Sequence, residues 1–233
     1  MLTDRFEKLG AEFVSAPQTI SNRLKKIKAF VFDWDGVFND AGKNENLSSN
    51  FNEVDSMGTN LLRFSYFLSE HELPKTGLIS GEKNILSFTF SKREHFDSCY
   101  FKIADKKEAL FHFCEHQRIK PEEVCYFFDD VLDLSIAKLA GLRILIGRKS
   151  NPLFNDYLKK NLLTDYISGC RGGEYGLRES CEMLMGIAGR FDDVIQHRTD
   201  FSLTYKTYID RRNSVETFFY TKEGNTIVNG LHD

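Results

Sequence analysis

Two carboxylates separated by one residue, Asp33 and Asp35, stand in Phe32-Asp33-Trp34-Asp35-Gly36-Val37, directly after the apolar run Ala29–Phe32. On an extended backbone, residues two apart project to the same side, so the pair shares one small volume. Such a pair is costly unless a cation or a shared proton compensates it, and Gly36 lets the chain turn sharply behind it. A second acidic cluster, Asp129-Asp130-Val131-Leu132-Asp133, follows the run Val124–Phe128. Asp129 at a strand end and Asp133 at a helix start can approach one metal. Between the two clusters come Ser80-Gly81, after the run Gly77–Ile79, and Asp105-Lys106, after Cys99–Ile103. A hydroxyl followed by glycine at a strand end can donate to a phosphate oxygen. Five acids around one lysine repel each other without a cation, and hard carboxylate oxygens favour Mg²⁺ with several waters retained. Mg²⁺ with a lysine and a serine is a phosphoryl-binding set, in which a carboxylate can serve as nucleophile.

These residues need elements to bring them together. The apolar runs Ala29–Phe32, Gly77–Ile79, Cys99–Ile103, Val124–Phe128 and Arg143–Ile146 are of strand length and continuous, as in strands buried on both faces. Helices are expected over Met57–Glu70, Glu82–Lys92, Lys106–Gln117 behind a capping Asp105, Asp133–Leu139 stopped by Gly141, and Tyr175–Ala188. Strand and helix in alternation imply right-handed crossovers and an α/β, Rossmann-like, doubly wound parallel sheet. In such sheets ligands bind beyond the carboxyl ends of the strands, where the acids, Ser80 and Lys106 lie. Residues 1–26 read as an N-terminal arm or helix, 27–190 as the main domain, and 191–233 as an extension with a β-hairpin of Ser214–Tyr220 and Thr226–Val228 around Glu223-Gly224-Asn225.

The order of these motifs resembles the haloacid dehalogenase superfamily of phosphohydrolases, and within it the small branch without a large cap domain that dephosphorylates sugar acids. The resemblance rests on FDWDGVFND (32–40), FNEVDSMG (51–58), LISGEK (78–83), ADKKEAL (104–110), YFFDDVLDL (126–134) and GGEYGLRES (172–180), roughly two thirds of the chain. It implies a phosphatase acting on an octulosonate 8-phosphate or nonulosonate 9-phosphate type of substrate. Asp33 would attack phosphorus, and Asp35 would act as general acid and then base. Ser80, Gly81 and Lys106 would hold the phosphoryl group. Mg²⁺ would be held by Asp33, the Asp35 main-chain carbonyl and Asp129, with Asp133 orienting a bound water. Substrate contacts are expected at Asp55, Glu82 and Arg178. In this branch a hairpin after the first motif, here Asn39–Asp55 with a turn at Gly42–Asn46, helps form a tetramer. Phe128 stands where the branch usually has glycine; a side chain there can crowd the loop, but with the carboxylates retained it reads as tolerable. Glu82-Lys83 matches the nonulosonate type, whereas the octulosonate type has arginine after the glycine. The alternative for Glu82 is a solvated acid at a helix start.

Composition narrows the rest. The chain has 233 residues, 41% hydrophobic and 28% charged, which fits one globular domain and excludes a disordered or collagen-like chain. Its 21 phenylalanines read as core. A net charge of −3 gives no reason to expect nucleic acid, and no apolar run approaches the ~18 residues of a membrane span. Five scattered cysteines without paired spacing, and a start unlike a signal peptide, are expected of a cytoplasmic protein with reduced thiols. His112 and His116 lack a third ligand for zinc. A response-regulator receiver shares the acids, hydroxyl and lysine, but its phosphorylated Asp sits on a later strand. A non-catalytic binding or assembly module and a phosphatase for an unrelated small phosphoester are the remaining alternatives.

Overall fold

A computed structural model describes residues 2–45 and 48–230. The chain runs through α1 (Leu2–Glu7), β1 (Glu12–Phe13) and α2 (Pro17–Leu24) into β2 (Ala29–Phe32), α3 (Glu53–Glu70), β3 (Lys75–Ile79), α4 (Ile85–Arg93) and β4 (Ser98–Tyr100). It continues through α5 (Lys106–Gln117), β5 (Val124–Phe128), α6 (Leu134–Ala137), β6 (Leu142–Leu145), α7 (Pro152–Lys160), β7 (Tyr166–Ile167) and α8 (Gly176–Ile187). It closes with α9 (Phe191–Thr199), α10 (Leu203–Asn213), β8 (Phe218–Glu223) and β9 (Thr226–Asn229).

The strands form one nine-stranded sheet in the order β1-β7-β6-β5-β2-β3-β4-β8-β9, parallel except at its two outer pairs. The five central strands therefore follow the nucleotide-binding α/β order and not the receiver order, and the direction of winding reverses between β2 and β5. Phe32 pairs with Leu78 on one side and Phe127 on the other, so the ends of β2, β3 and β5 lie level.

Both faces of the sheet are covered, which is why its strands are continuous apolar runs. Phe30, Phe32 and Phe127 point into a phenylalanine-rich layer with Phe64, Phe90 and Phe96 from α3, α4 and the turn after it. Ala29, Val31, Tyr126 and Phe128 point the other way, onto Leu110, Phe113 and Ile136.

Several expected boundaries shift. Helix α4 starts at Ile85, not Glu82, because the Asn84 side chain accepts from Leu86 N and caps it. Helix α3 starts at Glu53, where Asn52 caps it by accepting from Asp55 N. The expected helix at Asp133 opens as a 3₁₀ turn over Val131–Asp133. The stretch expected to form a hairpin after the first motif has no strand among its described residues. It is an irregular loop closed by Asn44 N to Ser48 O, and Asn46 of the expected turn lies outside the described residues.

The terminal segments extend the same sheet. β1 pairs antiparallel with β7, while the hairpin β8–β9 joins by laying β8 parallel on β4. Among the described residues no helix is long and apolar enough to cross a membrane.

Candidate active site

Parallel strands leave their last carbonyl groups and the side chains beyond them at one end of the sheet, and the reversal between β2 and β5 opens a crevice there. Asp33 follows β2 and is tied to the neighbouring strand by Asp33 N to Phe127 O, 2.9 Å. Asp129 follows β5, and Asp133 closes the 3₁₀ turn after it. Lys106 is the first residue of α5, placed there by the Asp105 cap, which accepts from Lys107 N. Its ammonium donates to Asp33 Oδ1 at 2.6 Å and Asp133 Oδ1 at 2.7 Å. Tyr126 OH donates to the same Asp133 oxygen at 2.5 Å, and Asp133 Oδ2 accepts from Asp130 N at 3.3 Å.

Charge in this crevice does not balance. Burial raises the Asp33 carboxyl above its ordinary range, Asp133 adds to the rise, and Lys106 opposes it. Burial raises Asp129 too, with Asp33 and Asp133 adding and Arg148 opposing. Burial alone would lower Lys106, but the charges of Asp33 and Asp133 outweigh it and hold the ammonium above its ordinary value. Three buried carboxylates share one lysine and the guanidinium of Arg148, so a further cation is what the set lacks. Asp33, Asp129 and Asp133 offer oxygens within 4.8 Å of one another, and they are the one such group of three or more possible ligands among the described residues. An all-oxygen, anionic donor set fits Mg²⁺.

Asp35 stands apart from that trio. Its Oδ1 accepts from Ser49 Oγ, and its Oδ2 from Lys43 Nζ at 2.5 Å. Ser49 in turn accepts from Trp34 Nε1 at 3.2 Å and Asn84 Nδ2 at 2.7 Å, so its own proton is committed to Asp35. Gly36 has φ +82°, and a side-chain carbon there would fall on the Asp129 carboxylate. A glycine is required by the conformation and by the space alike.

The other expected residues are placed variously. Ser80, buried at the end of β3, accepts from Glu82 N at 3.3 Å, and the space beside Gly81 is open. Glu82 is exposed, as a solvated acid would be, and lies ahead of α4 and its Asn84 cap rather than within the first turn. Asp55 and Arg178 meet each other where α3 crosses α8. Asp55 Oδ1 accepts from Arg178 N at 2.8 Å, while the Arg178 guanidinium turns to Glu182. Gly172 packs directly on the carbonyls of Gly36 and Asn39, which seats the Gly-Gly segment against the first acid loop. Phe128 does not crowd the cluster. Its ring stacks on Tyr126 in the apolar layer, while the Asp129 carboxylate lies with those of Asp33 and Asp133. His112 and His116 stack on each other beside Tyr220.

Sequence reasoning missed Ser49, Lys43, Tyr126 and Arg148. The Arg148 guanidinium bonds Asp129 Oδ2 and comes within 4.0 Å of Asp130. Its signal was available, since it follows the last of the apolar runs as the acids follow theirs.

No protein-family model matches the chain. It is 25% identical over 175 residues to the 3-deoxy-D-manno-octulosonate 8-phosphate phosphatase KdsC of Escherichia coli (strain K12), covering 73% of this chain and 86% of the relative. The enzyme of the same name from Salmonella typhimurium is 24% identical over 178 residues, 75% of this chain and 87% of that one. Among solved structures, a probable YrbI-family phosphatase from Pseudomonas syringae superimposes with a TM-score of 0.65 at 25% identity, over 78% of this chain and 98% of that one. The 3-deoxy-D-manno-octulosonate 8-phosphate phosphatase of Moraxella catarrhalis, solved with magnesium, phosphate and KDO, superimposes with a TM-score of 0.61 at 23% identity, over 76% and 96%. Shared sheet, motif order and relatives agree: in sequence and fold the chain is similar to phosphatases of the haloacid dehalogenase superfamily, on its sugar-acid branch.

Proposed function

We propose that this protein is a Mg²⁺-dependent phosphomonoesterase that hydrolyses a sugar-acid phosphate, of octulosonate 8-phosphate or nonulosonate 9-phosphate type, through an aspartyl-phosphate on Asp33. The observation that carries the reading is the meeting of Asp33, Asp129, Asp133 and Lys106 at the reversal of the sheet. An Asp33 oxygen bonds to phosphorus as the bond from phosphorus to the sugar oxygen breaks, and the Asp35 carboxyl delivers its proton to that leaving oxygen. As a carboxylate, Asp35 then takes a proton from water, whose oxygen attacks phosphorus and releases Asp33 and inorganic phosphate. Lys106 and Ser80 hold phosphoryl oxygens as charge spreads over them. Asp33, Asp129 and the Asp35 carbonyl would hold Mg²⁺, with Asp133 in support; when bound, it neutralises charge on the phosphoryl oxygens. Relatives named for the octulosonate substrate support the substrate class.

Glu82 and Arg178 are the candidates for contacts to the sugar acid. A cytoplasmic setting fits five free cysteines, four of them buried. A homotetramer, as in the resembled branch, would have to assemble on the loop after Asn39 without a strand pair there, and sedimentation would measure it. The deciding experiment is phosphate release from a panel of eight- and nine-carbon sugar-acid phosphates, with Mg²⁺ and with EDTA, and with Asp33→Asn as control. Selective Mg²⁺-dependent release that Asp33→Asn abolishes is expected. Turnover of generic phosphoesters alone would discard the substrate class. No release from any phosphoester, with Mg²⁺ shown to bind, would leave a binding module.

A further inference from the structure

Arg148 is held at the rim of the metal-binding carboxylates by a stiff backbone. The residue before it, Gly147, donates from its N–H to Ser168 Oγ at 2.9 Å and leaves no room for a side chain against the Ser168 carbonyl. The Arg148 carbonyl accepts from Asn151 N at 3.1 Å. From that base the side chain, 28% exposed, reaches over Gly36 and bonds one oxygen of Asp129. A guanidinium cannot lose its proton under these conditions, so it is a permanent positive charge one hydrogen bond from a metal-ligand carboxylate.

We propose that Arg148 tunes the charge of this site, weakening its hold on a divalent cation and strengthening its hold on the phosphoryl group. The inference rests on the metal-dependent phosphatase reading above. Like charges repel and unlike charges attract across the same few ångströms, so one fixed cation must act on the two ligands with opposite signs. A neighbouring unit charge shifts the affinity for a divalent ion by roughly tenfold even with water-like screening, and by more where water is excluded. Lys106 already pairs with Asp33 and Asp133 inside the crevice, so Arg148 is a second fixed charge, on the Asp129 side.

The test uses three variants of the full chain. Arg148→Gln removes the charge and keeps an N–H donor for Asp129, Arg148→Met removes charge and donor together, and Arg148→Lys keeps the charge. Mn²⁺ binding is read from the electron paramagnetic resonance signal of the free ion, and inorganic phosphate binding by calorimetry at saturating Mg²⁺. In Arg148→Gln and Arg148→Met, Mn²⁺ should bind roughly tenfold tighter and phosphate weaker by a similar factor, with Arg148→Lys within about threefold of the parent for both. Both ligands weakening together would mean that Arg148 only positions Asp129, and would overturn the proposal. So would no change in either. A parent chain that binds no more Mn²⁺ than Asp33→Asn would instead overturn the metal-centre reading, and this proposal with it.

Discussion

Ser49 does for Asp35 what no motif records. A carboxylate proposed to give a proton and later take one must be held in place, and here Ser49, 14 residues on, holds Asp35 while accepting from Trp34 and Asn84. Replacing Ser49 with alanine leaves a buried indole N–H and a buried amide without this acceptor. Each such loss costs about 1–3 kcal/mol. Ser49→Ala should therefore lose about 2 kcal/mol or more in urea unfolding, and kcat should fall by roughly tenfold or more with KM little changed, since the acid and not the binding is disturbed. Ser49→Thr, which keeps the hydroxyl, should stay close to the parent. An alanine variant with unchanged kcat would remove Ser49 from the account of Asp35.

Where α3 begins, the cap brings its own titration. Asp55 lies in the first turn, takes N–H bonds from Asn52 and Arg178, and is fully buried. Burial outweighs those donors and pushes its carboxyl up from 3.8 to about 6. The folded chain thus holds a proton over a range in which the unfolded chain has lost it, so stability falls as pH rises from about 4 to above 6. Asp55→Asn cannot titrate. The difference in unfolding free energy between the two chains should change by up to about 3 kcal/mol between pH 4 and 7, against the native acid at the higher pH. Urea unfolding across that range measures it, and parallel curves for the two chains would show that Asp55 ionises normally. The bond from Asp55 to Arg178 N ties α3 to α8, and Gly172 ahead of α8 packs on the Gly36 loop, so the α3 cap and the first acid loop are joined through one short path.

Seen whole, the chain carries its catalytic candidates in the middle of a sheet whose edges come from its termini. β8 is laid on β4 with Cys99 opposite Phe219, and Phe219 packs its ring on Phe88. Tyr220 stacks on Tyr100 and meets His112 and His116 of α5. Ending the chain at residue 213 would uncover β4 and these rings. Losing two buried aromatic contacts of this kind costs on the order of 5 kcal/mol, so the melting temperature should drop by about 10 °C or more, or the product should aggregate. A shortened chain that melts with the parent would show the hairpin to be an ornament on an independent core. At the opposite edge, buried Asp165 gathers Ser15, Arg23 and Arg143, which anchors the arm beside β6.

Local pattern was enough for the central elements. Ala29–Phe32 and Val124–Phe128 are strands to the residue, because a strand buried on both faces is an uninterrupted apolar run. Lys106–Gln117 is a helix to the residue, because Asp105 caps it. The grouping of Asp33, Asp129, Asp133 and Lys106 could also be read in advance, since parallel strands put all their ends on one side. Tertiary structure alone decided the rest. Ser49 reaches Asp35 across 14 residues and Arg148 reaches Asp129 across 19, contacts that depend on which loop lies beside which strand end. The docking of β8 on β4 and of β1 on β7 depends on which edges the central strands leave free, and no local period encodes that. Phe128 is the clearest division between the two: its type marks it as a departure from the branch, but only the pleat, which turns its ring into the apolar layer beside Tyr126, leaves the Asp129 carboxylate to lie with those of Asp33 and Asp133.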